Sequence, residues 1–427
     1  ADPTYYCIIA IAPTLFFICI SSALRGYFQG YQFMAPVAVS QLIEALCKLF
    51  LGIAFARYAL GRWGGDPSTI HYVAGYAVLG VTIGAGLGMV FLTFSKMLFR
   101  NEKYDAEYIS VSGVDETCDP AGKILKRIAL IAIPITVSAS VMSLTNLIDM
   151  ALIQRLLQTF RGMSEAEATA VYGNYTTLCV PMFNLPPYLI YPISYSIIPL
   201  IKTALSSGDR KRSEVVMESS LRVAFLVGIP CGLGMAALAR PILYTFGYVP
   251  SSVEAAYPLL ALLAPSTFFL CVLSVTNAIL QANGYEKKPV ISMLVGAVVK
   301  ILSNLVLIRL IGMPGTPIST FLCYLTATGL NFYFVVKHVG LRPKMRRMFL
   351  RPLIAGVMCA LSAIGTYYLV YRFIHSARIS TLIAIVVAAA IYFVLVFAIK
   401  AISADDVRLL PRGEKIEGML RKMRLLR

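Results

Sequence analysis

Apolar residues run through this chain in blocks of about 20, separated by short polar segments, and that alternation predicts its elements. Eleven blocks read as helices, roughly at 5–24, 33–60, 71–99, 126–157, 175–203, 217–239, 256–282, 289–311, 314–337, 349–372 and 379–400. At about 1.5 Å of rise per residue, each is long enough to cross a hydrocarbon core about 30 Å thick. The longer ones can tilt or protrude. A large soluble core would need shorter runs with polar faces, which the chain lacks. The expected fold is therefore all-α and polytopic, with about 11 transmembrane helices.

Composition agrees with the pattern. The 427 residues are 58% hydrophobic and only 14% charged, against about 25% charged in soluble domains. The net charge of +17 would suggest nucleic acid in a soluble protein. Here the basic residues collect on one side, so no nucleic-acid partner is expected. With the C-terminus cytoplasmic, 28 of the 38 Lys and Arg fall in inner loops and the tail, eight fall outside and two lie mid-span. That asymmetry sets the orientation. An odd number of spans puts Ala1 outside. No initiator Met or basic leader precedes the first span, so the chain is expected to be a fragment lacking its N-terminal part.

Candidate chemistry is sparse. The nine cysteines mostly lie inside apolar runs without a CxxC pair and read as small buried hydrophobes. His71, His338 and His375 are scattered, so no metal site is expected. No HExxH, G-x-S-x-G or phosphate-binding loop is present, which argues against an enzyme and against an ATP-driven motor.

The stretch Arg25-Gly26-Tyr27-Phe28-Gln29-Gly30-Tyr31-Gln32 reads as a polar turn between two spans, and it has a partner. Sliding the chain by 252 residues superposes Ala12-Pro13 on Ala264-Pro265, Phe16-Phe17 on Phe268-Phe269, Gln29 on Gln281 and Lys48 on Lys300. In all there are 12 identities over the 46 gapless positions 12–57. The first and seventh spans are then equivalent, and the repeat is parallel with a period of six helices. Such repeats are a transporter signature, with substrate bound between the halves. The matching stretch Asn277-Ala278-Ile279-Leu280-Gln281-Ala282-Asn283-Gly284 then reads as a polar inner turn as well, and Arg25, Gln29 and Gln281 become gate candidates. For Arg25 the plainer reading is an inside-positive anchor.

Charges held at membrane depth cost energy and usually face the bundle interior. Glu44 and Lys48 lie at i, i+4 on the second span, in the favourable order. Asp149 follows Asn146 on the fourth, and Lys300 precedes Asn304 on the eighth. Two repeat-related lysines suit an anionic ligand such as a diphosphate. The competing reading is mutual neutralisation, Lys48 with Glu44 and Lys300 with Asp149. The fifth span carries Pro181, Pro186, Pro187, Pro192 and Pro199 among Asn184, Tyr188, Tyr191 and Tyr195. Freed carbonyls at this depth are tolerated beside protein or a wet cavity. Asn184, Tyr191 and Tyr195 are therefore cavity candidates, and Pro186 and Pro187 are gate candidates. A kinked helix with an interfacial aromatic belt is the alternative. Ser164-Glu165-Ala166-Glu167 fits a capping box, which predicts a short outer helix. The loop 101–124 holds six acids and reads as a flexible connector. The tail VRLLPRGEKIEGMLRKMRLLR is basic and amphipathic and suits anionic membrane lipid.

The stretches RGYFQGYQFMAPVAVSQLIE, YGNYTTLCVPMFNLPPYLIYPISYSIIPLI and SSGDRKRS resemble the stage V sporulation protein B branch of the polysaccharide and lipid-precursor flippases. That branch is part of the multidrug/oligosaccharidyl-lipid/polysaccharide exporter superfamily. The resemblance implies two pseudo-symmetric six-helix lobes plus two C-terminal helices. Residues 1–100 would be the last three helices of the first lobe and 101–125 a cytoplasmic connector. Residues 126–340 would form the second lobe, 341–400 the extra helix pair and 401–427 the cytoplasmic tail. It implies export of an undecaprenyl-linked saccharide, a peptidoglycan or polysaccharide precursor, across the bacterial cytoplasmic membrane by alternating access. No cofactor is implied; coupling to the membrane potential, H+ or Na+ is. Cell-wall synthesis proteins are candidate partners. Two features depart from the family. The fifth span lacks the cavity arginine of the lipid II flippases, and Lys300 stands where some members offer polar or acidic sodium ligands. An ammonium in place of the ion beside Asp149 is the expectation. A multidrug or cation extruder and a non-transporting cell-wall assembly protein are the alternatives.

Overall fold

The computed structural model describes residues 5–30, 35–63, 69–98, 120, 122–126, 128, 129, 147, 150–341 and 346–398. The connector 101–119, the tail 401–427, Asn146 and Asp149 lie outside them. The described residues are helical without a strand. They divide into two units, Ala1–Ile124 and Leu125–Arg427.

The first unit holds α1 (Tyr5–Gly30), α2 (Ala35–Trp63) and α3 (Ile70–Leu98). α1 runs through the segment expected as a turn: Arg25 to Gly30 are helical. Phe28 explains why, because it is fully buried with Val37 and Leu92 and so fixes the end of α1 between its neighbours. A backbone that packs this well continues as a helix despite its glycines.

α3 meets α2 along a row of small residues spaced by four. A Cβ on Gly80 would stand 2.4 Å from the Gly52 nitrogen, and one on Gly84 would stand 3.1 Å from both the Glu44 carbonyl and Lys48 Cγ. Apolar side chains gain little from meeting each other in lipid, so close backbone approach supplies the packing instead. Across the unit, Thr14 of α1 and Thr82 of α3 share a buried 2.7 Å hydrogen bond.

The second unit begins with helical residues 150–161, here α4. It continues with α5 (Glu165–Ser206), α6 (Arg210–Ala237), α7 (Ala239–Thr245), α8 (Pro250–Leu263), α9 (Ser266–Ala282), α10 (Lys287–Ile311), α11 (Gly315–Val339), α12 (Met348–Ile374) and α13 (Ala377–Ala398). Among the described residues, nine helices are long and apolar enough to cross a membrane, and the α8–α9 pair makes a tenth. The remaining expected span, 126–157, falls mostly outside the described residues.

Three expectations change here. The seventh span is not one rod: α8 and α9 meet at a 46° bend beside Pro265. The capping box forms as expected, with Ser164 and Glu167 exchanging hydrogen bonds. Its helix, however, is no separate outer element. It runs into the fifth span through a π turn at Tyr175–Cys179, where one extra residue lets the helix continue into its proline-rich part. Finally, Asn277 to Ala282 are helical, and the turn that follows is Asn283-Gly284, with Gly284 at φ +82.

The distribution of polarity is that of a protein in lipid. Thr276, Ser292, Asn304 and Asn331 are fully buried, while Leu15, Phe50, Leu310 and Val386 lie on the outside. Two carbonyls freed by interior prolines find partners on neighbouring helices. Pro187 cannot donate to the Phe183 carbonyl, and Thr267 Oγ1 from α9 does so instead at 3.3 Å. Pro230 frees the Leu226 carbonyl, and Tyr392 Oη from α13 fills it at 2.7 Å. Neighbouring hydroxyls thereby make interior prolines tolerable.

Tyr392→Phe is expected to destabilise the second unit by about 1–3 kcal/mol, the cost of an unpaired buried acceptor. The measurement is thermal unfolding in detergent against Tyr368→Phe, whose ring is exposed. Equal midpoints for the two variants would show that the Leu226 carbonyl needs no partner.

Candidate functional site: a polar cavity and a charge cluster

α5, α9, α10 and α11 enclose a cavity of about 730 Å³ in the second unit. Helical spacing puts its polar residues on facing stripes. Asn184, Tyr191 and Tyr195 share one face of α5, Ser274, Asn277 and Gln281 share one face of α9, and Lys300 comes from α10. The described lining carries one charged side chain, Lys300, and no carboxylate. Tyr191, Tyr195 and Tyr324 bring rings to it, and Asn184, Asn277 and Gln281 bring primary amides.

Hydrogen bonds fix these walls. Ser194 of α5 and Ser274 of α9 meet at 2.8 Å. Asn331, buried on α11, donates to Asn277 Oδ1 at 2.6 Å and to Thr276 Oγ1 at 3.1 Å. Asn277 lines the cavity with its carbonyl so engaged, which leaves its amide N–H groups as the donors it can supply to a ligand. The arrangement suits a ligand rich in hydroxyls and anionic oxygens. Donors from Lys300 and Asn277 meet oxygen acceptors, and flat tyrosine faces meet the apolar faces of sugar rings.

The cavity brings together Asn184, Tyr191, Tyr195, Gln281 and Lys300 from the sequence-derived candidates. Asn304 is not among its lining residues. It is buried and accepts a short hydrogen bond from Ser319 of α11, which makes it part of a helix seam. Pro186 and Pro187 are buried within a continuous α5. Asp149 and Asn146 lie outside the described residues, so the proposed pairing of Lys300 with Asp149 does too. Sequence reasoning missed Ser194, Asn277 and Asn331 as site residues. Asn331 had a signal, since a lone amide inside an apolar span needs a partner. Asn277 was assigned to a turn.

In the first unit, Glu44 sits between two cations. Arg25 Nη2 reaches Glu44 Oε2 at 2.6 Å, and Lys48 Nζ reaches Oε1 at 2.7 Å. The neutralising role weighed for Lys48 is therefore real, but Arg25 shares it. Arg25 is more than an anchor: it ties the C-terminal end of α1 to α2. The three side chains are partly shielded, with 21%, 14% and 36% of Arg25, Glu44 and Lys48 exposed, so all can still meet solvent or a ligand. Gln29 falls within α1.

Comparison with known proteins gives a consistent picture. The family model described as "Polysaccharide biosynthesis protein" matches residues 2–205, and the MatE model matches residues 134–306. The lipid II flippase MurJ of Bacillus subtilis (strain 168) is 25% identical over 367 residues, covering 84% of this chain and 65% of its own length. Stage V sporulation protein B of the same organism is 24% identical over 419 residues, covering 96% of this chain and 76% of its own. The chain thus spans about two thirds to three quarters of these relatives. Among solved structures, a lipid II flippase MurJ in an inward closed conformation matches 91% of this chain and 72% of its own, with TM-score 0.62 and 13% identity. That likeness establishes the fold.

Proposed function

We propose that this chain, which belongs to the exporter superfamily of the polysaccharide biosynthesis and MatE proteins, carries an undecaprenyl-linked saccharide from the inner to the outer leaflet of the bacterial cytoplasmic membrane. The cavity of the second unit carries this reading. Its amides, tyrosines and Lys300 suit a sugar attached to a phosphate. The charged side chain of the described lining is a cation, Lys300, which favours an anionic substrate over the cations of a multidrug extruder.

The chemistry is movement without bond making. A lipid diphosphate carries about two negative charges, and moving each outward through an inside-negative potential is favourable by about 2.3 kcal/mol per 100 mV. The potential therefore favours export if the empty carrier returns with less charge displaced. In this reading the C-terminal tail is cytoplasmic and rests on anionic lipid, and a carrier of this kind makes and breaks no bond in its substrate.

The test is translocation by the full chain in proteoliposomes. A fluorescent lipid-linked disaccharide diphosphate, placed in the inner leaflet, should become accessible to an outside quencher faster than in empty vesicles. An inside-negative potential should speed it further. Extrusion of an ethidium-type cation with no movement of the lipid would replace this reading with the multidrug one.

A further inference from the structure

The repeat and the cavity bear on each other. In the second unit Ser274, Asn277, Ala297 and Lys300 line the cavity. Their partners 252 residues earlier are Ser22, Arg25, Ala45 and Lys48 in α1 and α2. α10 begins at Lys287 and α2 at Ala35, so the two helices start in the same register. Ser22 and Ala45 lie exposed in the first unit, and Arg25 and Lys48 lie partly exposed beside them. The first repeat thus carries a face with the same positions as the cavity wall of the second, with Arg25 in place of an amide.

One position breaks the correspondence. Glu44 matches Gly296. At Gly296 there is no room for a side chain, since a Cβ would stand 2.9 Å from the Cys323 carbonyl of α11. At Glu44 the facing α3 offers glycines: a Cβ on Gly88 would still be 3.6 Å from Glu44 Cβ and 3.8 Å from Oε2. The first repeat therefore accommodates a carboxylate that the second cannot. That carboxylate occupies both cations of the wall, one oxygen to each.

We infer that Arg25 and Lys48 form an anion site for a phosphate or diphosphate group, and that Glu44 is its resident counter-ion, displaced when the ligand arrives. The geometry supports exchange. Two cations that each hold one oxygen of the same carboxylate suit two oxygens of a phosphate as well. Without an internal anion, the two neighbouring cations would repel, and Lys48 would cost insertion energy. With one, the empty site is tolerable, and ligand binding uncouples Glu44 from α1. The inference rests on the substrate class proposed above, but it concerns binding alone.

Binding of pyrophosphate to the purified full chain, followed by calorimetry, tests it. Glu44→Gln keeps the shape and removes the competing charge, so affinity should rise about tenfold, which is about 1.4 kcal/mol. Arg25→Gln and Lys48→Gln should each weaken it at least as much. Unchanged or weaker binding by Glu44→Gln overturns the exchange. A second measurement needs no variant. Carbodiimide labelling of Glu44 in the wild-type chain, read by mass spectrometry, should rise when pyrophosphate or farnesyl diphosphate is added. Labelling that stays flat or falls overturns the proposal, as does a rise seen only with phosphatidylglycerol nanodiscs, which would mark a bilayer-lipid contact instead. Failure of transport with exchange intact would remove the flippase reading and leave this site standing.

Discussion

Replacing Lys300 by alanine is expected to slow translocation of a lipid-linked saccharide diphosphate by tenfold or more, while the protein still inserts and purifies as a single species. Lys300 is the charged residue in the described lining of the cavity, on the face of α10 that also carries Met293 and Ala297. A charged group costs about 2.5–3.5 kcal/mol at the centre of a membrane helix on insertion scales. Alanine removes that cost, so insertion should not suffer. A hydrogen bond to a charged group contributes about 1.5–3 kcal/mol, which corresponds to roughly tenfold to more than a hundredfold in rate or affinity. Lys300→Arg keeps the charge and should retain most activity. Translocation in proteoliposomes is the measurement. Wild-type rates in Lys300→Ala, and again in the Lys48→Ala/Lys300→Ala double variant, would remove both lysines from the mechanism. A fall in thermal stability that Lys300→Arg also shows would assign Lys300 to packing instead.

The elements were legible because lipid imposes a coarse rule. Each span must be long, apolar and internally hydrogen-bonded, and α2, α3, α10, α12 and α13 fall within a few residues of the blocks read from the sequence. The boundaries that moved are those where packing overrode local signals. α1 continues past Arg25-Gly26 because Phe28 is buried. The α8–α9 bend was less readable, because the same Ala-Pro pair sits inside the unbroken α1 as Ala12-Pro13. Proline permits a break, and the surrounding contacts decide whether one occurs.

The site was legible to the extent that polarity inside an apolar run is costly. Lys300, Asn184, Tyr191, Tyr195 and Gln281 announce themselves that way, and all five meet at one cavity. Partner choice was not legible. Asn304 turns to Ser319, Glu44 takes Arg25 as well as Lys48, and Asn331 orients Asn277. These pairings depend on how helices rotate about their axes, which one sequence does not specify. The glycine row of α3 specifies part of it.

Gly80→Val is therefore expected to dismantle the first unit. A Cβ at position 80 would lie 2.4 Å from Gly52 N and 2.6 Å from Gly52 Cα, against about 3.5–4.0 Å for carbon atoms in contact. Both neighbours are backbone, so no side chain can swing aside. α2 and α3 must separate by more than an ångström, and the contact at Gly84 opens with them. Overpacking in well-ordered cores costs about 1–3 kcal/mol for added methylenes, and a backbone collision between β-branched valine and glycine belongs at the upper end or beyond. The separation would also loosen the seam that holds Glu44 and Lys48 in place. Gly80→Val should unfold at a lower temperature than wild type in detergent and lose pyrophosphate binding. Gly26→Ala, where a Cβ meets nothing within 4 Å, should leave the unfolding temperature close to that of wild type. Graded loss across Gly80→Ala and Gly80→Val would mark backbone contact as the cause. An unfolding midpoint of Gly80→Val equal to that of Gly26→Ala would mean that α2 and α3 never approach this closely.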